Sequence, residues 1–356
     1  MDGALLAGLT LRHGYFSYRW TQIFDACRIP CREVVISALP DRPLGEVELP
    51  QFAPSPLVDI LATIRSERPE LVCAPHVETS TGIILPDEYI RAIGEVTREV
   101  GGTFCLDCIA SGCAWVDMEA LAVDCIVTAP QKGWSGPACC GIVLLNERAR
   151  RLVEAAPAET MTAGSYCCNL KTWLAVMAEY EAGGCTDHTT LPTDALVAFR
   201  AVVRETSAFG FQAAKERMTA LGRTVRHALA VRGLRSVAAA GFESPGVVVC
   251  YTPATAQTTS ENLVEALKAR GVQIAGGVPF KLPLLPSTAT EPEEFDPRAC
   301  AFRVGLFGLD KLRDVDRTSR IFLEHLDAVL GADDLWGERN ALTMSASDVT
   351  AAGPKL

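Results

Sequence analysis

No stretch of this chain reaches the run of about eighteen apolar residues that a membrane-crossing helix needs, so no transmembrane segment is expected. Positive charge is also short: 33 Lys and Arg against 43 Asp and Glu leave a net charge of −10. A nucleic-acid partner would want a basic stripe, and none is expected. The N-terminus, Met1-Asp2-Gly3-Ala4-Leu5-Leu6, has no basic segment leading into a long apolar core, so no secretory leader is read there. The cysteine spacing lacks the second pair that a zinc site requires. Cys105-Leu106-Asp107-Cys108 has CxxC spacing and Cys27 and Cys31 have CxxxC spacing, but the first pair lies in an apolar strand with no turn residues between, and no metal site is expected. Of the 14 cysteines, Cys73, Cys105, Cys125, Cys140 and Cys250 lie inside apolar strands. They read as reduced cysteines acting as small hydrophobes, in a reducing compartment such as the cytoplasm.

Hydrophobic content of 49% with 21% charged residues describes a globular protein with a large core. A length of 356 residues allows one large domain and a smaller one. Strands are expected at 33–37, 71–75, 103–107, 124–127 and 141–145, and helices at 21–27, 57–68, 87–100, 118–122, 147–154 and 170–181. This alternation predicts a parallel sheet with crossover helices. Long helices follow over 194–206 and 211–232, where apolar spacing is close to 3.6. A second α/β unit is expected from strands at 246–251, 272–276 and 301–305 and helices at 260–270 and 309–330. The Pro- and Glu-rich segment 279–297 reads as a long loop over the site. The division expected is 1–209 for a large domain, 210–331 for a small C-terminal domain, and 332–356 for a disordered tail.

Chemistry concentrates around Thr128–Leu145. Lys132 sits in a turn rich in Gly, Pro and Ser between two apolar strands. Such a setting penalises an ammonium, which is what a Schiff-base lysine needs. Upstream, the strand 103–107 ends in Asp107. Ligands of parallel sheets bind at the carboxyl ends of strands. A strand-end aspartate followed by strand, turn and lysine is the pair that pyridoxal 5'-phosphate (PLP) uses: the lysine carries the aldehyde and the carboxylate keeps the pyridine nitrogen protonated. A surface lysine in an ordinary turn is the other reading of the same residues.

The motifs Gly14-Tyr15-Phe16-Ser17-Tyr18-Arg19, His76-Val77-Glu78-Thr79-Ser80-Thr81-Gly82, Leu106-Asp107-Cys108-Ile109-Ala110-Ser111, Gln131-Lys132, His188-Thr189-Thr190-Leu191-Pro192 and Phe302-Arg303-Val304-Gly305-Leu306-Phe307-Gly308 occur in this order. With them the chain resembles the class V group of fold-type I PLP enzymes, and within it the alanine–glyoxylate, serine–pyruvate and 2-aminoethylphosphonate aminotransferases. The resemblance runs from about Gly14 to about Leu330. It implies an α/β fold: a large domain with a mostly parallel sheet flanked by helices, plus a smaller C-terminal α/β domain. It implies a homodimer that moves an amino group from an amino acid to a 2-oxo acid of the glyoxylate or pyruvate type, with PLP on Lys132. In that family pattern Phe16 stacks on the cofactor ring and Ser80 lies beside it. Asp107, Ile109 and Gln131 belong to its pocket, Thr190 touches the partner's cofactor phosphate, and Arg303 pairs with the substrate carboxylate. An ordinary core Phe, a turn or helix-cap Ser80, a helix-cap Thr190 and a core-paired Arg303 are the alternatives that the residues themselves leave open.

Two departures stand out. Nothing before Gly14 matches the Gly/Ser-rich phosphate-binding segment of the family, and Asp187 stands where the family often has Tyr. They keep two other readings in play: a specialised PLP enzyme acting on a basic amino acid such as lysine, and a truncated, non-catalytic homologue. The ending Pro354-Lys355-Leu356 resembles a peroxisomal Ser-Lys-Leu address, with Pro in the first place.

Overall fold

In the computed structural model the residues described are 5–41, 49–157, 166–252, 259–282 and 300–331. In chain order the first half comprises β1 (Leu6–Arg12), α1 (Arg19–Ala26), β2 (Cys31–Ser37), β3 (Leu39–Pro40), β4 (Phe52–Ala53), α2 (Leu57–Glu67), β5 (Leu71–Pro75), α3 (Asp87–Glu99), β6 (Thr103–Asp107), β7 (Cys125–Thr128), β8 (Ile142–Leu145), α4 (Glu147–Ala155) and α5 (Leu170–Glu181). Then come α6 (Thr193–Phe209), α7 (Phe211–Val231), β9 (Val247–Tyr251), α8 (Ser260–Ala269), β10 (Ala275–Gly276), β11 (Ala301–Gly305), α9 (Leu309–Leu312) and α10 (Val315–Leu330).

Six strands form one sheet in the order β2-β1-β5-β6-β7-β8. All neighbours pair in parallel except β7 and β8. The central strands read as unbroken apolar runs because both faces are covered. Leu9, Leu11, Val72, Phe104 and Leu106 from the sheet pack with Ile60 and Ile64 of α2 and Ile90 and Ile93 of α3. The start of α3 carries Asp87 and Glu88, which suit the positive end of the helix dipole. A smaller antiparallel sheet, β10-β11-β9, lies against α7, α8 and α10, with Met218, Leu221, Val225, Leu263 and Phe302 in its core. A further apolar cluster joins Val77, Ile83 and Ala110 to Val247, Val249 and Phe280. It brings β11 up to the carboxyl ends of β5 and β6.

Several expectations need correction. β1 was not anticipated, yet it pairs with both β2 and β5. The helix expected at 118–122 is a set of turns, with Asp117 Oδ1 accepting from the Glu119 and Ala120 N–H groups and Ala122 at positive φ. Five residues give too little helix to outweigh the cost of nucleation. The strand expected over 272–276 shrinks to Ala275–Gly276. The helix expected over 309–330 is interrupted, and Asp314 caps the restart by accepting from Arg317 N. The Pro-rich, acidic segment 40–55 reads from sequence as a surface loop, but of its described residues Pro40 pairs with Phe52 in the β3–β4 ladder and Phe52 is fully buried. The expected tail 332–356 and most of the loop 279–297 lie outside the described residues. No helix among the described residues is long and apolar enough to cross a membrane.

Candidate active site

Parallel pairing places the turns after β1, β5, β6 and β7 at one edge of the sheet, and the motifs fall on these turns. The turn after β1 carries Phe16. The turn after β5 runs from His76 to Thr81. The two are stitched together by Glu78, whose side chain is fully buried. Its Oε1 accepts from Phe16 N (3.1 Å), Ser80 N (3.0 Å) and Ser80 Oγ (2.7 Å), and its Oε2 from Ser17 N and Ser17 Oγ (both 2.8 Å). Gly14 is needed here for close approach, because a Cβ would stand 2.0 Å from Ser80 Oγ and 2.8 Å from Glu78 Cγ.

Asp107 ends β6 beside this hub. Its Oδ1 accepts from Ile109 N (2.9 Å), which accounts for the place of Ile109. Burial pushes the Asp107 carboxyl up to about 6; the negative Glu78 adds to this, while the Ile109 N–H and Arg19 oppose it. Next to it His76 packs fully buried, with Nδ1 2.8 Å from Ser111 Oγ, and burial lowers its imidazole to about 4.

Arg303, on β11, closes the cluster from the smaller sheet. Its guanidinium stands 6.0 Å from the Phe16 ring centroid, and that of Arg19 stands 5.2 Å away. Arg303 Nε donates to Gly276 O (2.8 Å). Burial lowers its pKa, against the pull of Glu78. Among the described residues no carboxylate forms an ion pair with it. A half-buried guanidinium held at Nε with its outer nitrogens uncommitted suits a planar anion such as a carboxylate.

Lys132 lies on the turn that follows β7, the strand next to β6; Asp107 and Val127 are paired in register. Ser135 N donates to Lys132 O and Gly136 N to Pro130 O, closing the turn. Gly133 rests on the backbone of Gly112, in the loop after Asp107. Trp134 packs against Trp115, Phe199 and Phe211 and anchors the far side. Lys132 is half-buried and Gln131 exposed.

Two expected residues stand differently. Ser80 is buried, but its hydroxyl hydrogen goes to Glu78 and its oxygen accepts from Tyr15 N (2.9 Å), so it has no donor to offer a ligand. Thr81 Oγ1 likewise donates to His13 O. Neither caps a helix. Thr190 is exposed and lies apart from the cluster, on a cavity of about 500 Å³ lined by Cys139, Cys140, Trp173, Met177 and Leu191. It is not a helix cap either, since Pro192 stands at the N-cap of α6 and no side chain caps that helix. The sequence reading quoted Glu78, Ser17 and His76 inside motifs without giving them a task. The available signal was a single carboxylate between hydroxyl-rich turns at the end of an apolar strand.

The family model for class-V aminotransferases matches residues 51–317. The chain belongs to that family. Its cofactor is PLP. Among curated relatives, alanine–glyoxylate aminotransferase 1 of Saccharomyces cerevisiae is 24% identical over 216 residues, 58% of this chain and 53% of that protein. The 2-aminoethylphosphonate–pyruvate transaminase of Pseudomonas putida is 25% identical over 236 residues, 66% and 56% respectively. The chain thus spans about half the length of the curated relatives it matches. The crystal structure of an alanine–glyoxylate aminotransferase from Nostoc sp. superposes with a TM-score of 0.72 at 20% identity, covering 92% of this chain and 75% of that one. This likeness establishes the fold, the fold-type I α/β architecture expected from the motifs. The buried Asp107 carboxyl, the Phe16 ring and the Arg303 guanidinium beside the Lys132 turn are chemically suited to a PLP site, while the Ser80 hydroxyl, spent on Glu78, has no donor left for a ligand.

Proposed function

We propose that this class-V family member is a PLP-dependent aminotransferase that moves an amino group from an amino acid to a small 2-oxo acid of the glyoxylate or pyruvate type. The observation that carries the reading is the gathering of Phe16, Asp107 and Arg303, an arginine with no ion partner among the described residues, beside the Lys132 turn. When bound, PLP supplies an aldehyde that accepts the amino group and a ring that draws electrons from the carbon bearing it. Lys132 Nζ would hold the cofactor and, once released, takes the proton from the amino acid's α-carbon and returns it on the other side of the exchange. Asp107 keeps the proton on the ring nitrogen, and a cation there offsets the burial that raises its own pKa. Phe16 covers one ring face, with Ile109, Gln131 and Ser80 completing the walls. Arg303 grips the carboxylate common to donor and acceptor, which fixes the α-carbon against Lys132.

A homodimer fits this reading. Val143, Leu144, Met177, Tyr180 and Leu191 are exposed apolar residues on or near the cavity that holds Thr190. Thr190 then serves the phosphate of the partner's cofactor. The alternative of a basic-amino-acid enzyme draws on the cysteines at the site margin, on Asp187 and on Lys132-Gly133-Trp134; Asp187 is exposed, Trp134 packs among aromatic rings, and the family of transaminases does not favour it. The non-catalytic reading is not favoured by a family of transaminases. All 14 cysteines are free, in keeping with a reducing compartment such as the cytoplasm. The test is absorption spectroscopy. Purified protein with PLP should develop a visible band that Lys132→Ala lacks, and amino acid should bleach it. No band in the wild type overturns the reading.

A further inference from the structure

The class-V pattern gives no task to the most completely hydrogen-bonded side chain at the site. Glu78 is 0% exposed and accepts five hydrogen bonds, three of them from backbone N–H groups of two separate turns. Only a carboxylate can accept that many without presenting a donor of its own. A glutamine would aim an NH2 group at N–H donors and leave some of them buried without an acceptor. Two consequences follow from its place. The donors Phe16 N and Ser17 N bracket the backbone of Phe16, so Glu78 fixes the ring over which Arg19 and Arg303 lie. The charge of Glu78 also acts on Asp107, on β6, and on Arg303, on β11; Asp107 in turn faces Arg19, on α1, and the buried Cys105 and Cys108.

We propose that Glu78 is a positioning residue of this site: its carboxylate orients Phe16 and sets the electrostatic field that Asp107 and Arg303 share. A merely structural tie would need only the hydrogen bonds. The proposal requires the charge as well, because the carboxylate that ties the two turns also acts on Asp107 and on Arg303. Negative charge here raises Asp107 as long as no cation lies opposite it and favours the charged Arg303 guanidinium when no substrate is present. The inference rests on the aminotransferase reading for its purpose, but its physical content belongs to the chain alone.

The test therefore uses the full-length protein without cofactor, as wild type, Glu78→Gln and Glu78→Asp. The readouts are amide exchange at Phe16 and Ser17 and the carboxyl titration of Asp107. The titration is followed by carbon-13 NMR of aspartate-labelled protein, with Asp107→Asn for assignment. Glu78→Gln should speed exchange at both amides about ten-fold or more, and it should shift the Asp107 midpoint down, since a negative neighbour is lost. Glu78→Asp keeps the charge but is too short to serve both turns. It should speed exchange and leave the Asp107 midpoint where the wild type has it. An unchanged midpoint in Glu78→Gln, or equal midpoint shifts in both variants, overturns the electrostatic role. Unchanged exchange in Glu78→Asp overturns the positioning of Phe16, and that variant decides the question if Glu78→Gln does not fold. Failure of the wild type to form a lysine-dependent band with PLP would sink the enzymatic reading while leaving these readouts standing.

Discussion

At Asp107 the folded chain holds a proton more tightly than the unfolded chain does. Its carboxyl is raised from 3.8 to about 6, chiefly by burial. Below about pH 3 the group is protonated in both states and costs nothing. As pH rises from about 3 to about 6 the unfolded chain releases the proton first, so stability falls over that window and stays lower above it. A shift from 3.8 to about 6 corresponds to a penalty on the order of 2–3 kcal/mol. Asp107→Asn keeps the acceptor for Ile109 N and cannot ionise. The ligand-free variant should match the wild type in denaturant unfolding near about pH 3 and exceed it by about 1–3 kcal/mol at about pH 7. An equal gap at both pH values would mean that burial of the charge is not the cause. A residue that weakens the empty protein and serves only when a cation lies opposite it is what a binding site leaves behind in a fold.

The elements bring that residue into play through turns, and the Lys132 turn rests directly on the backbone of the loop after Asp107. A Cβ on Gly133 would stand 2.4 Å from Gly112 O and 2.7 Å from Gly112 Cα, both backbone atoms that cannot swing aside. Gly133→Ala should displace the turn from the loop that follows Asp107, costing about 1–3 kcal/mol and weakening PLP binding at least ten-fold with the lysine intact. Calorimetry and titration of the visible band would measure the two effects. What could be seen of these elements from the sequence follows their range of interaction. The strands β5, β6, β8 and β11 were legible because each is a local apolar run bounded by turn residues. β1 was not. Gly8 interrupts its run and lowers strand propensity, yet the missing Cβ is what admits Cys31 Sγ from β2, which would stand 2.7 Å from it. Lys132, Asp107, Phe16 and Arg303 were legible as motifs. Glu78 was legible only as a letter in one of them, because its partners Phe16 and Ser17 come from another strand's turn and their N–H groups leave no mark on composition.

For the whole molecule, the informative residue is Thr190, which stands away from Phe16, Asp107 and Arg303 and faces its own cavity among exposed apolar side chains. In a monomer this patch would leave Val143, Leu144, Met177 and Leu191 in water, and the family's phosphate contact unmade. On the function proposed above, a two-fold partner would cover the patch and complete each site with the other chain's Thr190. The two roles then sit on different protomers, and that makes the assembly testable by complementation. Lys132→Ala protein carries a usable Thr190 but no lysine, and Thr190→Val protein carries a lysine but no hydroxyl for its partner. Each alone should show little aminotransferase activity. Unfolded together and refolded as a mixture, half the dimers are mixed. Each mixed dimer has one site that joins the lysine of one chain to the threonine of the other. Activity should then rise to about a quarter of the wild-type value per chain, as expected for random pairing of closed two-fold dimers, while sedimentation shows the mass of two chains. Leu191→Lys, which puts a charge into the apolar patch, should shift the wild type toward monomer and abolish the recovery. Equal activity before and after mixing, with dimers present, would place Thr190 in its own protomer's site. A monomer at all concentrations would remove the two-fold arrangement altogether and leave Thr190 without a task in the reaction.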